Sequence, residues 1–223
     1  VGLGGTPYID DTPLTEPPVH ASWLAIAQKC NLGCTYCYAQ QGEFGGPAKN
    51  MSADLANQAA DLLVDGAATG ARLNLAFLGG EPLVNRPVLQ ATTRRAAERA
   101  AARGVTLNFS LTTNGTLLTE ADAAFFEEFG FAVTISLDGP RDTHDANRPF
   151  KSGKGSFDRI IENLKPLFAR QRQMQVTARV TVTPANIELR ETLDQFVDAG
   201  FHSVGFSPML AAPTGKGDRL LYT

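Results

Sequence analysis

Cys30, Cys34 and Cys37 fall within eight consecutive residues, CNLGCTYC, and no other cysteine occurs in the 223-residue chain. A disulfide framework uses an even number of cysteines, and structural thiols are scattered through a core, so this cluster points to metal chemistry. The Cys-x3-Cys-x2-Cys spacing lets one short loop turn three thiolates toward a common point. Asn31 and Gly33 suit such a curl, because both residue types tolerate left-handed backbone. Two chemistries fit. A structural zinc site needs a fourth ligand, for which His20 is the nearest candidate, although its spacing matches no finger or ribbon. Three thiolates also hold three irons of a 4Fe–4S cluster and leave the fourth iron open to an exchangeable ligand. A redox dithiol is the remaining use, and spacing alone leaves all three open.

The elements that must position this loop alternate in type. Strands are expected at 22–28, 73–78, 107–112, 132–137, 176–182 and 203–207, with helices at 52–66, 87–103, 119–129, 156–172 and 188–199. Ser52 and Thr119 are placed as helix N-caps, the latter followed by Glu120 and Asp122 in the first turn. Residues 1–19, rich in Pro, Gly and Thr, read as an extended arm, and 20–223 as one α/β domain. Strict alternation predicts parallel strands with right-handed crossovers. The repeat of about 36 residues allows six units where a full barrel of about 250 residues has eight. The expected architecture is a partial (β/α)6 TIM-type barrel, with an open doubly wound sheet as the alternative.

In such folds ligands sit at the carboxyl ends of the strands. Those ends carry the cysteine loop, Gly79-Gly80-Glu81-Pro82, Thr113-Asn114-Gly115, Ser136-Leu137-Asp138-Gly139-Pro140, Arg179 within the fifth strand, and Ser207-Pro208-Met209. Each taken singly is an ordinary turn sequence. Together they put small and polar residues on the rim that bears three thiolates. Glycine allows close backbone approach, which predicts that Gly80 must stay small to let a ligand reach the main chain. Carbonyls or a carboxylate there can accept from an ammonium group, and Asn114 and Ser136 can hold hydroxyls or a carboxylate. Arg179 needs an anionic partner, either a ligand or one of Glu81 and Asp138.

CNLGCTYC, FLGGEPL, LTTNGTLL and ISLDGP, in this order, resemble the radical S-adenosylmethionine (SAM) superfamily, over residues 22 to about 210. The resemblance implies a 4Fe–4S cluster on Cys30, Cys34 and Cys37, with SAM chelating the open iron. It further implies Gly79, Gly80 and Glu81 at the methionine amino group, Asn114 and Ser136 in the SAM pocket, Arg179 at the carboxylate and Tyr36 beside the adenine. The stretch DGPRDTHDANRPFKSGKGSFDRIIENLK is similar to peptide- and protein-modifying maturases with a SPASM or twitch extension. CYAQQGEFGG followed by FLGGEPL is nearest to thioether-forming maturases, including that of quinohemoprotein amine dehydrogenase. The auxiliary Fe–S clusters of such an extension would need further cysteines, so that region is expected to be missing from this chain.

The resemblance implies reductive cleavage of SAM to a deoxyadenosyl radical, hydrogen abstraction from a peptide or protein, and an electron donor of flavodoxin or ferredoxin type. With 20 Lys+Arg against 23 Asp+Glu the formal net charge is −3, which argues against nucleic-acid binding by bulk charge and against a polybasic membrane anchor. No apolar run reaches the roughly 18 residues of a membrane span, so a cytoplasmic protein is expected. His20, His144 and His202 read as loop or surface residues, and Arg94, Arg95, Arg99 and Arg103 as a solvated helix face. The competing functions are a zinc-binding interaction module and a barrel enzyme that uses Gly79-Gly80 as a phosphate loop.

Overall fold

The structure, a computed structural model, describes residues 19–37, 39 and 47–209. Its strands are β1 (Ala21–Ala27), β2 (Arg72–Gly79), β3 (Thr106–Thr113), β4 (Ala132–Ser136), β5 (Gln175–Val182) and β6 (Ser203–Pro208). The helices are α1 (Ala53–Asp65), α2 (Arg86–Ala102), α3 (Glu120–Glu128), α4 (Arg141–Asn147), α5 (Phe157–Arg170) and α6 (Leu189–Ala199), with a 3-10 turn at Pro82–Asn85. Every expected strand and helix is present within two residues at either end. The expected arm at 1–19 lies outside the described residues except for Val19. The unanticipated elements are the 3-10 turn and α4, whose sequence RDTHDAN has no apolar period to announce a helix.

All strands pair in parallel in the order β1-β2-β3-β4-β5-β6. A doubly wound sheet reverses its order at a switch point; a strictly sequential order is that of a barrel wall. Here β1 and β6 remain the two edges of the sheet, so the barrel is open and partial. Sequential right-handed crossovers bring all the helices to one side of the sheet.

The strand sequences follow from that one-sided cover. Leu24, Ile26, Leu75, Phe77, Phe109, Leu111, Val133, Ile135, Val176, Ala178 and Val180 are buried in the core. The alternate positions carry Trp23, Asn74, Ser110, Thr112, Thr134, Thr177 and Arg179, all at least partly exposed. A parallel sheet covered on both faces would read as unbroken apolar runs, whereas these alternate. One tier of the concave face runs Thr112, Thr134, Thr177, Ser203 across four strands.

Local signals fix the helix ends. Thr119 and Asp122 form a reciprocal capping box: the Asp122 N–H donates to Thr119 Oγ1 at 3.3 Å, and the Thr119 N–H to Asp122 Oδ2 at 2.9 Å. Ser52 caps α1 by accepting from the Leu55 N–H at 3.2 Å. Phe131 packs on Phe109 and Phe126 at ring centroid distances of 5.3 and 5.0 Å, which seats α3 under the sheet. The arginine face of α2 is an ion-pair seam: Arg95 meets Asp61 of α1 at 2.7 Å, and Arg99 meets Asp65 at 2.5 Å. Arg94 pairs with Glu128 of α3 at 3.2 Å and lies over the rings of Phe125 and Phe129.

Candidate cofactor site

The carboxyl ends of the strands surround one cavity of about 570 Å³. Cys30, Cys34 and Cys37 line it, together with Tyr36, Gly79, Gly80, Asn114, Ser136 and Arg179. None of the three is in a disulfide, and each is half-buried. Glu81 is the exception among the expected site residues: it is fully buried and does not line the cavity. Its Oε1 accepts from Leu83 N–H at 3.0 Å and Thr113 Oγ1 at 2.7 Å, and its Oε2 from Asn114 N–H at 2.8 Å. Burial still pushes its carboxyl above the usual range, against those three hydrogen bonds. Of the two acceptors expected for a ligand ammonium, carbonyls or a carboxylate, the Glu81 carboxylate turns inward and ties the Gly-Gly turn to the end of β3.

The packing of the turn gives the glycine pair a reason of its own to be small. A Cβ on Gly79 would stand 2.1 Å from the carbonyl oxygen of Ala27, and one on Gly80 would stand 2.2 and 2.7 Å from those of Gln28 and Lys29. The turn packs directly on the backbone that leads into Cys30. Its amides are also spoken for, with Gly80 N–H donating to Ala27 O at 2.7 Å and Glu81 N–H to Lys29 O at 2.9 Å. A phosphate loop needs such amides free, so this turn does not serve as one.

The loop after β4 is the second support of the cysteine loop. Gly33 N–H donates to Pro149 O at 2.8 Å, Thr35 N–H to Asn147 O at 2.9 Å, and Leu32 bridges Phe150. This brings in Arg148, which sequence reading missed and which lines the cavity. Its Nε lies 3.1 Å from Asp138 Oδ2, its NH2 group donates to Thr181 Oγ1 at 3.2 Å, and its guanidinium stands over the Tyr36 ring. Burial works against that charge, but Asp138 holds the guanidinium firmly protonated. Asp138, fully buried, accepts from the Tyr36 hydroxyl and from Thr181 N–H as well. The Asp-Gly-Pro sequence is thus a hub and not simply a turn. Tyr36 is held at the cavity wall, its hydroxyl kept protonated by burial first of all.

Arg179 has the opposite status. It is exposed, lines the cavity, and pairs with no carboxylate among the described residues. Neither Glu81 nor Asp138 is its partner. Ser136 is its register neighbour on β4, so the hydroxyl and the guanidinium stand side by side on the concave face.

His144 corrects the expectation of a surface histidine. It is fully buried beneath the cavity. Its Nδ1 accepts from Asp138 N–H at 3.2 Å, and its Nε2–H donates to Ser156 Oγ at 2.9 Å, which donates on to Arg148 O at 2.6 Å. A second ring proton would face the Asp138 N–H, and burial lowers the pKa from 6.5 to about 4. The neutral ring therefore contributes stability that is fully present above pH 6.5 and is lost as pH falls toward 4, up to about 3 kcal/mol. Melting temperature against pH is expected to fall over that window in the parent protein and to fall less steeply in His144→Phe. Parallel curves for the two proteins would refute this.

Among the described residues no group of three or more His, Cys, Asp or Glu is arranged to hold a single metal ion. The thiols instead line a shared cavity, as three ligands of a multi-iron cluster do, one iron to each. The donor set fits a cluster with one open iron, and a cavity edged by Gly79, Ser136 and Arg179 adjoins it.

A sequence model described as the Radical SAM superfamily matches residues 24–196, and the chain belongs to that superfamily. A 4Fe–4S cluster and SAM are the cofactors that define it. Among curated relatives, a "Serine-type anaerobic sulfatase-maturating enzyme" of Klebsiella aerogenes is 30% identical over 203 residues, 89% of this chain and 49% of that protein. A "Cysteine-type anaerobic sulfatase-maturating enzyme" of Clostridium novyi is 34% identical over 143 residues, 63% of this chain and 38% of that protein. The chain thus spans about half the length, or less, of these relatives. The solved structure "Native anSMEcpe with bound AdoMet and Cp18Cys peptide" shares the fold with a TM-score of 0.72 at 24% identity, over 87% of this chain and 52% of that one.

Proposed function

We propose that this chain is the SAM-cleaving barrel of a peptide- or protein-modifying enzyme. The observation that carries the reading is the meeting of three cysteine thiols, the Gly79-Gly80 backbone, Ser136 and Arg179, which pairs with no carboxylate among the described residues, around one cavity. When bound, the cluster and SAM supply an electron and a deoxyadenosyl radical able to take a hydrogen atom from an unactivated carbon. The chain's own part is to hold and orient. Cys30, Cys34 and Cys37 bind the cluster. Backbone carbonyls of Gly79 and Gly80 accept from the methionine ammonium, with Glu81 fixing the turn from behind. Arg179, with Ser136 beside it and the charged Arg148, paired with Asp138, as second guanidinium, receives the carboxylate. Tyr36 closes the wall beside the adenine.

A peptide substrate is supported by the names of the relatives and by the peptide in the neighbouring structure. The finer proposal is that the modification is a thioether cross-link, and that a flavodoxin- or ferredoxin-type donor supplies the electron in the cytoplasm, with no nucleic-acid or membrane partner. No described helix is long and apolar enough to cross a membrane. The relatives favour a second reading, maturation of a sulfatase.

The test is anaerobic incubation of the full-length enzyme with SAM, a chemical reductant and candidate peptides. Deoxyadenosine is expected, and its absence with a fully loaded cluster overturns the reading. Mass analysis with thiol alkylation separates the two modifications: a cross-link consumes a thiol and blocks fragmentation between two residues, and a change on a single side chain does not. Arg179→Ala is expected to weaken SAM binding at least tenfold while the cluster content stays unchanged; equal SAM affinity would remove Arg179 from the site.

A further inference from the structure

Asn114 follows the last residue of β3 on the cavity wall, and only 7% of it is exposed. Its side-chain oxygen accepts from Thr116 N–H at 3.0 Å and from Thr116 Oγ1 at 2.6 Å. That fixes which end of the amide is which, so the NH2 group must point the other way, to the cysteine loop. There Nδ2 donates to Asn31 Oδ1 at 2.9 Å and lies 3.8 Å from Cys30 Sγ, within reach of an N–H···S bond. Asn31 closes the ring by donating to Thr116 Oγ1 at 2.7 Å. The backbone N–H of Asn114 is held by Glu81. Both amide hydrogens therefore have partners within the chain.

We propose that Asn114 is a positioning residue for the Cys30 thiolate, and that its N–H···S bond raises the reduction potential of the cluster. This rests on the assignment of Cys30, Cys34 and Cys37 as cluster ligands. Reduction adds an electron whose charge spreads onto the ligand sulfurs, and a donor aimed at one sulfur stabilises the reduced form more than the oxidised form. The donor is preorganised because both ends of the amide are tied to rigid elements, so it need not reorient when the electron arrives.

The test is a redox titration of the reconstituted cluster followed by electron paramagnetic resonance, without SAM. Asn114→Asp keeps the acceptor for Thr116 and turns an oxygen to Cys30; Asn114→Leu removes both functions at similar volume. Both are expected to lower the potential. For the Asp variant the reduced-to-oxidised ratio at a fixed potential should fall at least tenfold, which is about 59 mV for one electron. Thr116→Val, which disturbs the ring but not the sulfur contact, is expected to shift it less. Unchanged potentials in Asp and Leu variants with full iron content overturn the proposal. Pulsed measurements on the parent protein carrying 15N-asparagine add a readout that needs no variant: coupling from a side-chain amide to the reduced cluster is expected, and its absence also refutes the idea. Failure of the parent protein to assemble a cluster would instead refute the ligand assignment.

Discussion

Gly80→Ala is expected to deprive the protein of its cluster together with its SAM site. The added methyl carbon would lie 2.2 Å from the Gln28 carbonyl oxygen and 2.7 Å from that of Lys29. These are backbone atoms, so no side chain can swing aside, and relief requires moving the strand end itself. Overpacking of this kind costs about 3 kcal/mol, at the upper end of its usual range, because the obstacle cannot repack. The segment that must move runs straight into Cys30. Were glycine required only for ligand access, SAM binding would fail with iron loading intact. The packing predicts joint loss, and Gly80→Val should repeat it more severely. Iron and sulfide analysis beside SAM binding on each variant decides the matter. A Gly80→Ala protein with full iron and no SAM affinity would restore the ligand-access explanation.

Cys34→Ala is expected to reduce iron and labile sulfide to the level of unreconstituted protein and deoxyadenosine formation to background. Burial raises the Cys34 thiol pKa to about 11, opposed by the positive Arg148 nearby, so the metal-free thiol is protonated at neutral pH. Cluster assembly must displace that proton, and the guanidinium compensates part of the cost of the resulting thiolate. Without this ligand the cluster has only two protein anchors, and two irons would be left to solvent or adventitious ligands. Retention of a full 4Fe–4S cluster by Cys34→Ala would overturn the assignment of three ligands.

The repeating elements and the cysteines were readable because each rests on a short-range pattern. Strand alternation, the Ser52 and Thr119 caps and the CNLGCTYC spacing all declare themselves within a dozen residues. Arg148 did not, because its place depends on Asn147, Pro149 and Phe150 pairing with a loop more than a hundred residues earlier in the chain. His144 was misread for a related reason: it belongs to a seven-residue helix without apolar period, buried by what packs over it. Glu81 was named with the Gly-Gly turn, but that its carboxylate turns inward to Thr113 and Asn114 was not legible, since sequence gives a residue's neighbours along the chain and not its side-chain direction. Asn114 was assigned to the cavity and does line it, but its hydrogen bonds run to Cys30 and Asn31.

The sheet keeps its apolar residues on the helix side and its hydroxyls and amides on the concave side. Stability and selectivity are thereby written into different residues of the same strands. Exchanging Asn74 or Ser110 touches no packed core, so this part of the concave wall can be changed while the fold persists. A full barrel has no such freedom, because its interior is layered with side chains that hold it together. The open barrel therefore carries a wall that it does not need for folding, and Trp23, 65% exposed on the edge strand, stands at its margin.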